Sequence, residues 1–407
     1  MEQINSIFLR VLAGALRGEK AEIAERLTPE QWQEILRRAQ IHKVLPLVLD
    51  AVHACPGIDC MDEAALGRYR RQARYQVMIQ TQRTGEFLEL NRALDDAGIR
   101  PLVVKGLVCR QLYPQADLRP SGDEDLLVRQ EDFAACCRIL EELGLKRITE
   151  AQDAYEVSFR KAESPLHIEL HRQLFAPDSQ AYGDLNRFFE DVFHGAAELE
   201  AEGERVMTLA PTDHLVYLIC HAFKHFIHSG FGIRQVCDIV LFARRYDSEI
   251  CWERVKENCE AIRADRFAAA IFRIGEKYLD VEAPAAFRTP DVEEGPLLTD
   301  LLEGGLYGDA SLSRKHSSNI TLETVAAGKR GKRPRGAMAA AVFPSGEKLA
   351  GRYPYLKKYP WLLPAAWGQR LWQYARETRK NGDSSAAEAL KIGQERVELL
   401  RRYGIIR

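Results

Sequence analysis

The spacing of apolar residues changes twice along the chain, and this change limits the folds that the sequence can adopt. Up to about residue 97 the apolar positions recur every three or four residues, as in WQEILRRAQIHKVL, which is typical of amphipathic helices. Between about 98 and 208 they form short runs such as PLVV, DLLV and HIEL, which are typical of strands. Helical spacing returns from Pro211 onward. The pattern predicts an α+β protein in which N-terminal and C-terminal helical regions flank a small mixed sheet.

A chain of 407 residues exceeds the roughly 250 to 300 residues at which a single hydrophobic core stops growing. Residues 303–336 are rich in Gly, Ser and Lys, which favours a flexible linker or loop. The predicted segments are an N-terminal helical region (1–97), an α/β core (98–208), a C-terminal helical domain (209–302), the linker (303–336), and an aromatic and Pro-rich segment with a final helix (337–407).

The charge balance argues against nucleic acid as a partner. Lys and Arg total 57 and Asp and Glu total 59, so the chain lacks the overall positive field that holds a polyanion. A basic run, KRGKRPR at 329–335, can bind a phosphorylated acceptor, but such a run in a loop is usually only solvated. Any binding site for a polyanion is therefore expected to be local.

Three features predict a cytoplasmic protein with no membrane partner. No apolar run approaches the roughly 18 residues that a membrane span needs, and the first 20 residues lack the pattern of a signal peptide. The nine cysteines are an odd number without a CxxC pair, which fits reduced thiols better than a disulfide framework.

Three carboxylates are predicted to form a metal site. Successive strand residues point to opposite faces, so Asp123 and Asp125 project together while Glu124 points away. In HIELH, Glu169 lies between apolar Ile168 and Leu170 and is expected to face away from both. Hard Mg²⁺ or Mn²⁺ ions prefer such oxygen ligands and leave positions open for a triphosphate. A pair of solvated carboxylates is the ordinary alternative for Asp123 and Asp125 alone.

Residues near these carboxylates are candidates for contact with phosphate. Lys105 and Gly106 lie between a short strand and a helix, where backbone N–H groups and the ammonium can hold an anion. Arg119 and Ser121 precede Asp123 and can donate to phosphate oxygens. An ordinary strand-to-helix turn explains the first pair equally simply, and a loop arginine and a turn serine explain the second.

Histidines supply a second group of candidates. His171 is two residues from Glu169 and therefore shares its strand face. The helix HLVYLICHAFKHFIH brings His221, Lys224 and His225 onto neighbouring turns, where they are expected to meet the triphosphate or the base. The alternatives are histidines satisfied by structural hydrogen bonds and, less favoured because no Cys or carboxylate ligand is close in sequence, a zinc site.

The succession KG, GDEDLLV, a helix, HIELH and a histidine-rich helix, with FPS, RYP and WLLP near the end, resembles the uncharacterised nucleotidyltransferase family of the polymerase-β-like superfamily. The resemblance implies a nucleotidyltransferase core, a two-metal site on Asp123, Asp125 and Glu169, and an NTP as co-substrate. It also implies transfer of an NMP to an acceptor with release of pyrophosphate. The sequence departs from the better-known Gly-Ser pair of this superfamily, because Lys105-Gly106 stands there.

The acceptor, the nucleobase and the oligomeric state stay open at this stage, because acceptor contacts come from variable loops and helices. The acceptor is expected to be a small molecule, a carbohydrate or a peptide. Two alternatives are a non-catalytic nucleotide-binding or regulatory module of the same fold and a transferase that attaches AMP or another NMP to a protein.

Overall fold

The computed structural model describes most of the chain as two compact units. The first contains Met1–Ala222 and Ile233–Glu294, and the second contains Phe223–Gly232 and Gly295–Arg407. The finer five-part division stays a prediction. Among the described residues, no helix has the length and apolar character needed to cross a bilayer. The described residues are 2–55, 57–148, 154–305, 312–330, 343, 345–381 and 386–406.

Four helices precede the sheet, as the apolar spacing predicts. The start of the second is fixed by a capping box, in which Thr28 and Gln31 each bond the other's backbone N–H, followed by Pro29 at the first helical position. Asp62 caps the fourth helix by accepting from the N–H of Ala65 at 2.8 Å. The helices are α1 (Glu2–Leu16), α2 (Pro29–Ile41), α3 (Leu45–Val52) and α4 (Glu63–Asp96).

One seven-stranded mixed sheet forms the centre of the first unit. Its strands lie in the order β3, β4, β5, β2, β1, β7, β6, and helices α5 (Gly106–Arg110) and α6 (Phe133–Glu142) follow β1 and β2. The strands are β1 (Leu102–Val104), β2 (Glu124–Leu127), β3 (Leu145–Arg147), β4 (Glu156–Lys161), β5 (His167–His171), β6 (Ala197–Ala201) and β7 (Glu204–Thr208).

The register of the central strands positions the candidate site. Strand β2 runs antiparallel to β1, with Asp125 opposite Val104, and parallel to β5, with Asp125 opposite Glu169. Side chains opposite each other on adjacent strands share a face and lie about 5 Å apart. The pairing therefore brings together carboxylates that are 44 positions apart in the sequence.

The helical region predicted after Pro211 is also present. Most of α8 and α10 is buried, so these helices contribute to the core as well as covering it. The helices are α7 (Pro211–His228), α8 (Ile233–Arg245), α9 (Trp252–Ala261) and α10 (Asp265–Tyr278). The predicted α+β class, a mixed sheet flanked by helical regions, is confirmed.

In the second unit, part of the segment predicted to be a flexible linker is helical instead. Part of the predicted flexible linker, Leu312–Lys329, forms an 18-residue helix, α12, because Ile320, Val325 and Ala326 supply a buried face within a polar composition. Residues 306–311 and 331–336 of that segment, and with them most of the basic run, lie outside the described residues. The other helices of this unit are α11 (Gly295–Gly304), two short helices (Gly346–Leu349 and Tyr355–Lys358) and two longer ones (Leu363–Asn381 and Ala386–Arg402).

Candidate metal centre

The turn between β1 and α5 places Lys105 in an uncommon backbone conformation. Its φ is 49° and its ψ is −108°, although non-glycine residues rarely adopt a positive φ. Its N–H donates to Nε2 of His214 at 3.3 Å, and this bond helps to hold the turn. Backbone strain of this kind persists only where the surrounding structure fixes it, and it concentrates at functional sites.

His214 is held as a neutral imidazole by its two hydrogen bonds. Because Nε2 accepts from Lys105, the proton lies on Nδ1, which donates to Oγ1 of Thr208 at 3.1 Å. The Thr208 hydroxyl in turn donates to the carbonyl of Val103 at 2.7 Å. Burial lowers the pKa of His214 to about 3, so the imidazole remains an acceptor at neutral pH.

The absence of a side chain at Gly106 is required by a close approach. A Cβ at this position would lie 2.1 Å from Oε2 of Glu124. That oxygen accepts from the N–H of Leu107 at 2.9 Å, and Oε1 pairs with Arg110 at 2.6 Å. Glu124 and Arg110 are both fully buried. Glu124 therefore supplies an anion at the start of α5, on the opposite side of β2 from Asp123 and Asp125, as the strand alternation predicts.

Buried polar contacts support the loop that leads to Asp123. Arg119 donates from Nε and Nη2 to the two oxygens of Asp238 at 2.9 and 2.6 Å. The N–H of Ser121 donates to Oε1 of Gln80 at 2.8 Å, and its hydroxyl accepts from Arg110 at 2.9 Å. These bonds fix the loop from both sides. Contact of Arg119 or Ser121 with phosphate stays a prediction.

The predicted carboxylates lie beside a lysine and a histidine. The ammonium of Lys105 is 2.9 Å from Oδ2 of Asp125 and 4.0 Å from Oδ1 of Asp123. Nε2 of His171 is 3.1 Å from Oδ1 of Asp125 and 3.9 Å from Oε2 of Glu169. The side chain of Asp125 is almost fully buried, whereas those of Asp123 and Glu169 are partly exposed.

Burial and neighbouring charges change the pKa values of Glu169 and Asp125 in opposite directions. Burial raises the pKa of Glu169 well above its ordinary value, and the negative charges of Asp125 and Asp123 add to the effect. Burial alone would also raise the pKa of Asp125, but the positive charge of Lys105 and the hydrogen bond from His171 outweigh it and lower that pKa. The cluster therefore keeps Asp125 ionised and leaves the charge of Glu169 poorly compensated.

These residues fit a divalent metal. One ligand atom from each of Asp125, Glu169 and His171 lies within 4.8 Å of the others. Two carboxylates and an imidazole are donors for Mn²⁺, and the carboxylates alone suit Mg²⁺. The ammonium of Lys105 lies beside both Asp125 and Asp123, so these two carboxylates already share a cation of the protein itself. A metal contact of Asp123 stays a prediction.

The remaining predicted contacts are distributed over both units. His221 belongs to the first unit and its ring lies 5.8 Å from that of Tyr217. Lys224 and His225 belong to the second unit. A nucleotide contact for these three residues, for Lys105 and Gly106, and for His171 stays a prediction. The sequence pattern did not indicate Glu124, Arg110 and His214 as supporting residues, because Glu124 and Arg110 are 14 positions apart and His214 lies 109 positions from Lys105.

Comparisons with known proteins identify the family of the chain. The profile of the family described as "Uncharacterised nucleotidyltransferase" matches residues 28–280. No curated protein matches the sequence. The crystal structure of an antigenic nucleotidyltransferase-like protein from Paracoccidioides brasiliensis is similar, with 12% identity and a TM-score of 0.32 over 51% of this chain and 95% of that one; a TM-score this low carries no argument. Because the family profile spans more than half of the chain, the protein belongs to the uncharacterised nucleotidyltransferase family.

Proposed function

We propose that the protein is a metal-dependent nucleotidyltransferase that moves an NMP from an NTP to a hydroxyl or phosphate of a small-molecule, carbohydrate or peptide acceptor. The observation that carries the proposal is the register of β2 and β5, which sets Asp125 directly opposite Glu169. Asp123 lies two residues earlier and contacts the same ammonium as Asp125. Family membership supports the reaction class.

In this proposal Asp123, Asp125 and Glu169 hold Mg²⁺ or Mn²⁺, and His171 orients Asp125 through its 3.1 Å contact. When bound, the metal neutralises charge on the triphosphate and lowers the pKa of the attacking hydroxyl. Lys105 supplies a positive charge for the phosphates. The supporting bonds from His214, Glu124, Arg110 and Gln80 keep these groups in place before substrate arrives.

The transfer breaks one bond and forms another. An acceptor oxygen attacks the α-phosphorus of the NTP, and the bond from that phosphorus to the bridging oxygen of the β-phosphate breaks, so that pyrophosphate leaves with the electron pair. The proton of an acceptor hydroxyl passes to Glu169, which helps to activate that hydroxyl. An acceptor phosphate requires no proton acceptor.

A thermal-shift screen tests the proposal. Wild type, the double variant Asp123→Ala/Asp125→Ala and the control Glu131→Ala, which changes an exposed acid outside the cluster, are each heated with the four NTPs and Mg²⁺ or Mn²⁺. A ligand that binds the folded state raises Tm. We expect one NTP to stabilise wild type and the control only when metal is present, and to leave the double variant unchanged.

The other outcomes identify the alternatives. No shift with any nucleotide contradicts nucleotide binding. A shift without pyrophosphate release from any offered acceptor favours the non-catalytic module. A mass increase on partner proteins, measured by mass spectrometry after incubation with the stabilising NTP, identifies a protein-modifying transferase.

A further inference from the structure

We propose that the ammonium of Lys105 is an internal cation that competes with a divalent metal for Asp123 and Asp125, and that the triphosphate ends this competition by binding the ammonium. The proposal rests on the proposed function and concerns the order in which ligands are accepted. The metal is then expected to bind the carboxylates weakly when it is alone and tightly when nucleotide is present.

The first support is the position of the ammonium. It lies 2.9 Å from Asp125 and 4.0 Å from Asp123, and the lysine side chain is only 17% exposed. Carboxylate oxygens bind Mg²⁺ at about 2.1 Å. A metal on Asp125 would therefore share an almost fully buried carboxylate with an ammonium, and two like charges at such a distance repel strongly where water is scarce. Metal binding thus requires the ammonium to leave.

The second support is that the backbone of Lys105 is held on both sides. Its N–H is bonded to His214, and the next residue, Gly106, packs against Glu124 too closely to admit a side chain. The flexible four-carbon stem of Lys105 is then the part that can move. The ammonium can change partners while the Cα atom stays in place.

The third support is that the protein itself uses one backbone donor of the turn. The N–H of Leu107 at the start of α5 already donates to Glu124, so this donor is directed at a carboxylate of the protein. The positive charge of Lys105, on its flexible stem, is a group of the turn that a triphosphate can recruit. Metal and nucleotide then each favour the same position of the ammonium, and their binding is coupled.

Mn²⁺ binding tests the proposal without measuring catalysis. The free Mn²⁺ signal in electron paramagnetic resonance is titrated with wild type, Lys105→Met and Lys105→Arg, each without nucleotide. Lys105→Met removes the charge and keeps the Cβ atom, so the backbone requirement is unchanged. We expect Lys105→Met to bind Mn²⁺ about tenfold more tightly than wild type, within the usual range of coupling between sites, and Lys105→Arg to remain close to wild type.

The affinity for nucleotide is expected to change in the opposite direction from the affinity for Mn²⁺. The affinity for a non-hydrolysable α,β-methylene analogue of the NTP, measured by calorimetry with Mn²⁺, is expected to fall in Lys105→Met. A variant damaged only in its folding would lose affinity for both ligands. If Lys105→Met does not fold, Lys105→Gln replaces it in both measurements.

The outcomes separate the two proposals. Unchanged or weaker Mn²⁺ binding by Lys105→Met overturns the competition, even if the NTP analogue binds wild type normally. Failure of wild type and of every variant to bind any NTP analogue contradicts both the proposed function and the release of the ammonium by triphosphate, whereas tighter Mn²⁺ binding by Lys105→Met still upholds the competition between the two cations.

Discussion

The backbone N–H of Lys105 and the imidazole of His214, 109 positions apart in the sequence, form a 3.3 Å hydrogen bond. It joins the turn after β1 to the first turns of α7, and it requires the imidazole to be neutral. A protonated ring would present a donor to a donor. The conformation of the residue nearest to the carboxylates therefore depends on a histidine that contacts none of them in the bonds described above.

Acid should destabilise the protein through His214. At pH 5 the buried folded-state imidazole, with a pKa of about 3, stays neutral, whereas an unfolded-state imidazole with a pKa of about 6.5 gains a proton. The unfolded state then binds more protons, so stability falls as the pH drops from about 6.5 towards about 3. Between pH 6.5 and 5, we expect wild type to lose about 2 kcal/mol more than His214→Gln in urea unfolding. The control His194→Gln changes an exposed histidine and should lose as much stability as wild type over this pH range. Equal losses in wild type and His214→Gln would contradict the neutral state of His214 in the folded protein.

Gly106→Ala should destabilise the fold because its Cβ would lie 2.1 Å from Glu124. Displacing that carboxylate disturbs its bonds to Leu107 and Arg110, and we expect a loss of about 2 kcal/mol, typical of overpacking. Gly85→Ala is the control, since an added Cβ meets nothing within 4 Å there. It lies within α4, where alanine should stabilise the helix by up to about 1 kcal/mol. Chemical denaturation measures the free energy of unfolding, which should fall in Gly106→Ala and rise in Gly85→Ala. An unchanged free energy of unfolding in Gly106→Ala would contradict the close approach.

Arg119→Met should lower stability in the absence of any nucleotide. It leaves the carboxylate of Asp238 buried without its bidentate partner, which typically costs about 3 to 5 kcal/mol. The double variant Arg119→Met/Asp238→Asn should recover much of the loss, because the uncompensated charge is gone. Arg205→Met removes one partner of an exposed ion pair and should cost less than about 1 kcal/mol. Full stability of Arg119→Met with weaker nucleotide binding would instead favour the predicted phosphate contact.

Glu169→Gln should stabilise the metal-free protein and abolish the effect of metal. Its carboxylate is partly buried beside Asp125 and Asp123, and the amide removes that repulsion. We expect Tm at pH 8 without metal to rise by about 2 °C, the usual equivalent of less than 1 kcal/mol in a domain of this size. The metal-dependent rise seen with nucleotide should disappear. A fall in Tm without metal would show that positive groups balance the charge of this carboxylate in the metal-free protein. The control Glu131→Gln tests the effect of removing one negative charge elsewhere.

Local sequence patterns were sufficient to predict the helices and strands and the faces to which the strand residues point. The sheet between about 98 and 208 and the opposite orientations of Glu124 and Asp125 follow from the periodicity of the sequence. The hairpin of β6 and β7 was missed although a signal was present. Its turn residues Glu202 and Gly203 both have positive φ, as a type I′ turn requires, and glycine favours that conformation.

Contacts between distant segments could not be inferred from those patterns. The ion pair of Arg119 could not be inferred from the sequence, because its partner Asp238 lies 119 positions later, in helix α8. Helix α12 was hidden for a different reason. Its composition is polar and rich in small residues, so its buried face becomes apparent only when neighbouring helices cover it.

The alternation along β2 makes spacing as important as residue identity. Asp125 faces Glu169 and the lysine, whereas Glu124, one residue earlier, faces Arg110 and the start of α5. Because strand side chains alternate, a slip of β2 by one residue relative to β1 and β5 would exchange these surroundings. The carboxylate cluster would receive the glutamate, and an aspartate would be buried against the arginine. Inserting or deleting one residue within β2 should therefore be more damaging than most substitutions, and natural variation in length should be confined to the loops.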